Sequence, residues 1–251
     1  MNTSLESIIN VANYLSFFGF LIATILMGIV VSKFGKSTLA SIFSYIFVGT
    51  AIFVAISVFL NLGAEHFGIA DNSLDIWWHI LFYMAFIFYF YGLKLLVGLG
   101  SADTDPNAVI SSSGAKKWSV LALAVIIFVF VAPHSLEGPV HVYTEGSLAV
   151  LNNFGLHHFI AFALAGVVAS YLFSAKKKLG QIGLAIANPI IIAVSALSLQ
   201  HFWELLNESW KWVDVSNTPG VGEGVEKIFL IIASLSIIWG ALRLKKFTTT
   251  V

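Results

Sequence analysis

The chain has 251 residues, of which 58% are hydrophobic and only 10% are charged, against roughly 25% charged residues in an average globular chain. So much apolar surface cannot be hidden inside one soluble core of this size. The composition therefore excludes a soluble enzyme, a disordered chain and a nucleic-acid-binding protein. The 13 basic and 13 acidic residues balance, so the net charge implies no bulk electrostatic partner. The absence of cysteine excludes disulfides and thiolate metal sites.

Seven apolar runs are long enough, or nearly so, to cross a hydrocarbon layer about 30 Å thick as helices. The runs are continuous rather than alternating, which favours helices over barrel strands. The sequence therefore predicts an all-α integral membrane protein, with residues 1–251 forming a single domain that is a bundle of seven transmembrane helices. The predicted spans, in chain order, are residues 8–31, 39–62, 76–99, 118–132, 156–173, 179–203 and 225–244.

Individual spans carry further signals. No basic residue precedes the first run, which predicts a retained span and not a signal peptide. The fourth run is short because Pro133 follows it, and it is expected to borrow a turn from the residues before it. Gly166 and Ala169 in span five predict close helix contacts, and Pro189 in the middle of span six predicts a kink.

Charge asymmetry predicts the orientation of the bundle. Eleven of the 13 basic residues fall on one side of the predicted topology, and eleven of the 13 acidic residues fall on the other. The positive-inside rule then places the N-terminus outside and the C-terminus inside. The partner of the helices is the lipid bilayer, and we expect the plasma membrane of a prokaryote.

All seven histidines fall on the predicted outer side, most of them near the ends of spans. On a helix, residues three or four apart share a face. Asp75 with His79, and His201 with Glu204, therefore each predict a short polar stripe. Imidazole and carboxylate without thiolate suit copper(II), zinc or non-haem iron. The candidate metal ligands are His79, His134, His201, Glu204, His66, His157, His158, Glu65, Asp75 and Glu137.

The candidate ligands also have simpler explanations that involve no metal. Asp75 precedes span three and serves equally well as a helix N-cap. His157 and His158 are adjacent, so they cannot point in one direction on a helix, and at most one is expected to join a shared site. A polar network without metal and a proton or ion pathway are the alternatives for the cluster as a whole.

Three functions follow from this pattern. The first is a metal-bearing component of a membrane oxidoreductase, with other membrane subunits as partners. The second is an outer-leaflet electron carrier that holds haem b between two histidines, and the third is a noncatalytic structural or transport subunit of a membrane complex. Retinal is excluded, although seven spans with this orientation superficially resemble microbial rhodopsins, because residues 228–242 contain no lysine for a Schiff base.

Overall fold

The computed structural model describes residues 3–35, 37–58, 71–102, 156–176, 179, 181–209, 212–213 and 220–248. These residues form six α-helices and one short π-helical turn, Leu205–Ser209, which directly continues the fifth helix. The helices are α1 (Thr3–Lys33), α2 (Thr38–Val58), α3 (Asp71–Ala102), α4 (Leu156–Ala175), α5 (Gln181–Glu204) and α6 (Val221–Thr248).

Five of these helices, all except α4, are long and apolar enough to cross a membrane, and α4 contributes a shorter apolar stretch, His158–Phe173. The all-helical, membrane-like character predicted from composition is therefore confirmed. Each of the six helices matches one predicted span, and most of their boundaries differ from the predicted ones by only a few residues. This agreement is expected because the length of an apolar run determines both the predicted span and the helix. The predicted fourth span, residues 118–132, lies outside the described residues.

Helices that follow one another in the chain pack side by side, and α6 packs against α1. Stacked rings of Phe20 and Phe53 join α1 to α2, and Phe34 lies against Phe43 near the tight connection between them. These pairs show that α1 and α2 are antiparallel. Phe53 also meets Phe82 of α3, edge to face with centroids 5.1 Å apart.

In contrast, α3 and α4 run in the same direction. Tyr83 in the first half of α3 packs on Ala161 in the second turn of α4. Further along both helices, the ring of Phe90 lies 5.4 Å from that of Tyr171. Two neighbouring parallel helices cannot be joined by a tight turn, so the chain has to return from the end of α3 to the opposite end of the bundle before α4 begins.

The helix α5 packs antiparallel to both α4 and α6. Ser198 Oγ donates a hydrogen bond of 3.0 Å to the carbonyl oxygen of Phe162 in α4, and a Cβ placed on Gly166 would lie 3.7 Å from the same hydroxyl. On the other side, Pro189 packs against Gly240 of α6, where an added Cβ would come within 3.0 Å of the proline Cβ. The proline is thus accommodated inside an α-helix, in part because α6 offers a glycine opposite it.

These directions place the helix ends in two groups. At one end, which we call the histidine end, α3, α4 and α6 begin and α5 finishes, as the pairing of Trp203 with Gly222 shows. The other end, which we call the lysine end, carries the last turns of α1 and α6 and the residue that follows α4. Its described basic residues are Lys33, Lys94, Lys176, Arg243, Lys245 and Lys246, of which Lys94 lies about two turns before the end of α3.

Candidate metal centre

At the histidine end, three side chains from α4 and α5 converge on one point. Glu204 Oε2 lies 2.5 Å from His201 Nδ1 and 2.9 Å from His158 Nδ1. All three residues are buried, and His201 is wholly inaccessible to solvent. They form a compact group of two imidazoles and one carboxylate between two packed helices.

Local helix geometry explains this convergence. His201 and Glu204 are three residues apart, so their side chains lie on the same face of α5. Because α4 is antiparallel to α5 and joined to it by a short connection, the first turn of α4 lies beside the last turn of α5. His158 therefore reaches across the helix interface to the same carboxylate oxygen.

The hydrogen-bonding roles follow from the chemistry of the groups. An ionised carboxylate only accepts, so His201 donates from Nδ1–H to Glu204 Oε2, while His158 Nδ1 lies within ion-pair distance of the same oxygen. A buried carboxylate requires compensating positive charge, which either a bound cation or an additional proton on one imidazole supplies. Both states are chemically consistent with the geometry of the group.

The three residues could hold a metal ion, because one donor atom from each lies within 4.8 Å of the other two. Zinc binds imidazole nitrogen and carboxylate oxygen at about 2.1 Å, which corresponds to donor separations of about 3.4 Å in a tetrahedron. The two short contacts to Glu204 Oε2 are hydrogen-bond lengths, so the carboxylate has to withdraw by less than about 1 Å to admit the ion. Three protein ligands would leave one position of a tetrahedral ion open, and two positions of a five-coordinate ion.

The surroundings of the group are aromatic and tightly packed. The ring of Phe82 in α3 meets the His201 ring edge to face, with centroids 4.2 Å apart. Phe162 and Phe202 close the interface between α4 and α5 beside it. Directly after Glu204 the chain turns into the π-helix, a conformation that frequently occurs at functional sites.

Three of the ten predicted ligands, His158, His201 and Glu204, are therefore brought together. Three more lie near the beginnings of helices: Asp75 and His79 are in the first three turns of α3, and His157 is in the first turn of α4. The side chains of these three residues are outside the described part of the structure. The other four predicted ligands also lie outside the described residues: Glu65, His66, His134 and Glu137.

Two residues of this site were not predicted from the sequence. Gln200 Nε2 donates to Glu204 Oε1 at 3.0 Å, and its spacing of four residues from Glu204 in an apolar helix is the signal that could have identified it. The contact of Phe82 with His201 depends on how α3 packs, which the sequence of α3 alone does not reveal. No protein-family model, curated protein or solved structure matches this chain.

Proposed function

We propose that this protein is a metal-bearing component of a membrane oxidoreductase and that His158, His201 and Glu204 hold its metal ion. The observation that supports it is the convergence of both Nδ1 atoms on one buried carboxylate oxygen. The donor set is two nitrogens and one oxygen, which suits copper(II), zinc or non-haem iron. An open coordination position on copper or iron is what redox chemistry at such a site requires.

The geometry favours an ion over haem at these two histidines. Axial histidines hold haem iron between them, with the porphyrin plane extending between the two rings. Here the Glu204 carboxylate lies between the two Nδ1 atoms, and α4 packs directly on α5 through Phe162 and Phe202. An absorption spectrum of the purified protein distinguishes the two, since haem b has a Soret band and a simple metal ion has none.

We further propose that α3 supplies one more protein ligand. Phe82 contacts His201, and His79 and Asp75 precede Phe82 by three and seven residues on the same helix. That spacing places all three positions on one face of α3. His79 is accordingly the residue we propose as the fourth ligand of a five-coordinate copper or iron ion, which would keep one position open, with Asp75 as the carboxylate that orients it.

The metal site is tested by stripping the detergent-purified protein with a chelator, reloading it with zinc(II) or copper(II), and measuring bound metal by mass spectrometry. We expect about one ion per chain. His158→Ala and His201→Ala should each lower the affinity by more than about 100-fold, because loss of a ligand exceeds the 10–100-fold effect of an outer partner. His79→Ala should weaken binding in the same assay.

Ser198→Ala is the matched control. Its hydroxyl is buried and links α5 to α4 through Phe162, but it supplies no ligand, so this variant should bind metal normally. Absence of zinc and copper from the unsubstituted protein, or unchanged binding in both histidine variants, would contradict the metal site. The noncatalytic structural or transport subunit would then be the better explanation.

We also propose seven membrane spans with the N-terminus and the histidine end outside, in a prokaryotic plasma membrane. The support is the direction of α3 and α4: if both cross the membrane, residues 103–155 connect opposite sides and must contain an odd number of crossings. Within them, residues 118–132 are the longest apolar run in the sequence, and with a turn from the residues before it this run would be long enough to cross. The described basic residues at the lysine end then face the cytoplasm, as the positive-inside rule requires.

Single cysteines test this topology cleanly because the chain contains none of its own. Labelling with a membrane-impermeant maleimide should fail at Ser112→Cys until the membrane is opened. It should succeed on intact cells at Ser135→Cys and Ser216→Cys. Equal accessibility of positions 112 and 135 from one side would exclude the fourth span, and labelling of position 112 alone from outside would reverse the orientation.

A further inference from the structure

A buried amide accompanies the metal centre. Gln200 is 1% exposed and lies one helical turn before Glu204 in α5. Its Nε2 donates a hydrogen bond of 3.0 Å to Glu204 Oε1, the oxygen that neither histidine contacts through Nδ1. The two carboxylate oxygens are thus divided, with Oε1 bound by the amide and Oε2 facing the imidazoles.

Burying the Gln200 amide lowers the stability of the folded protein unless the amide makes compensating hydrogen bonds. Gln200 Oε1 is buried and has no hydrogen-bond partner among the residues that the structure describes. An unsatisfied amide oxygen in a protein interior destabilises the folded state, and leucine at this position would avoid that penalty. The hydrogen bond to Glu204 is the interaction that only a polar side chain can supply here.

From this arrangement we propose that Gln200 is a positioning residue, which holds Glu204 Oε1 so that the carboxylate binds the metal through Oε2 alone. The inference rests on the proposed metal site. A carboxylate without such a restraint can rotate and bind through both oxygens, which would occupy the open coordination position. Gln200 therefore acts through Glu204 to keep that position available for a substrate or an oxidant.

Copper(II) is the probe for this role, because it binds a nitrogen–oxygen site more tightly than the other divalent first-row metals and reports its ligands by electron paramagnetic resonance. Gln200→Leu should weaken copper(II) binding by about 10–100-fold in competition with a chromophoric chelator. The resonance spectrum of the loaded variant should also change, because the carboxylate becomes free to bind through both oxygens. Gln200→Met, which keeps a similar length but has no N–H donor and no charge, should change both measurements in the same sense.

Ser198→Ala controls for packing, since it removes a buried polar group from the same helix three residues from His201 and should leave affinity and spectrum unchanged. The inference is overturned if the folded Gln200 variants bind copper(II) within about threefold of the parent, or if affinity falls without a spectral change. It is also overturned if Ser198→Ala reproduces the effect. If the parent itself binds no copper(II), it is the proposed function that fails.

Discussion

Glu204→Ala should abolish metal binding and should also destabilise the folded protein, more than any other single change at the site. The carboxylate accepts hydrogen bonds from His201 and Gln200 and lies 2.9 Å from His158 Nδ1, so its removal leaves three buried polar side chains without their shared partner. Breaking a buried charged group of this kind costs about 3–5 kcal/mol. Reversible unfolding in mixed micelles measures the loss of stability, and zinc(II) reloading measures the loss of metal.

Glu223→Ala provides the comparison at an exposed position. Glu223 lies in the first turn of α6 at the same end of the bundle, and its side chain is 46% exposed and 3.7 Å from Lys227. Lys227 is buried but the Glu223 carboxylate is half exposed and screened by solvent, so its loss should cost far less than that of Glu204 and this variant should fold and bind zinc(II) like the parent. If Glu204→Ala were no less stable than Glu223→Ala and retained its zinc, the convergent group would be neither a metal site nor a structural centre.

Glu204→Gln separates charge from size at the same position. The amide keeps the volume and one acceptor oxygen, but its nitrogen repels whichever donor faces it, and its oxygen carries no full charge. We expect stability between those of Glu204→Ala and the parent, with metal affinity still reduced by more than about 100-fold. Parent-like zinc affinity in this variant would show that the carboxylate charge is not used by the metal.

The helices of this protein can be predicted from the sequence because a membrane-spanning helix is determined mainly by the length and hydrophobicity of an apolar segment. The end of α5 illustrates the limit of that approach. The predicted sixth span ended at residue 203, whereas the chain continues through Glu204 into a π-helix. Apolar periodicity does not distinguish a π-helical turn from an α-helical one, so this feature was not foreseen.

Part of the metal site could also be predicted from the sequence. His201 and Glu204 are recognisable as a pair on one helix face. His158 and His201 lie at similar distances from the connection between α4 and α5, so an antiparallel hairpin brings them to one level. The roles of Gln200 and Phe82 could not be read in this way, because they depend on which faces of α3, α4 and α5 pack together. Those faces are selected by small residues and shape, which hydropathy does not record.

A close approach between α1 and α6 at Gly19 should give the second large effect. A Cβ placed on Gly19 of α1 would lie 2.3 Å from Ser234 Oγ and 2.9 Å from Ser234 Cβ in α6. The hydroxyl could rotate away, but the Cβ is fixed to the backbone, so the helices themselves would have to separate. Gly19→Val should therefore destabilise the bundle by about 3 kcal/mol, at the upper end of the usual cost of overpacking.

Gly224→Val is the matched control, because Gly224 lies in the first turn of α6 with nothing within 4 Å of an added Cβ. Valine is a better helix former than glycine, so this variant should be as stable as the parent or slightly more stable. Adding Ser234→Gly to Gly19→Val removes both conflicting atoms and should restore part of the lost stability in the same micelle-unfolding assay. If Gly19→Val is as stable as Gly224→Val, or if Ser234→Gly restores nothing, α1 and α6 do not pack through Gly19 and Ser234.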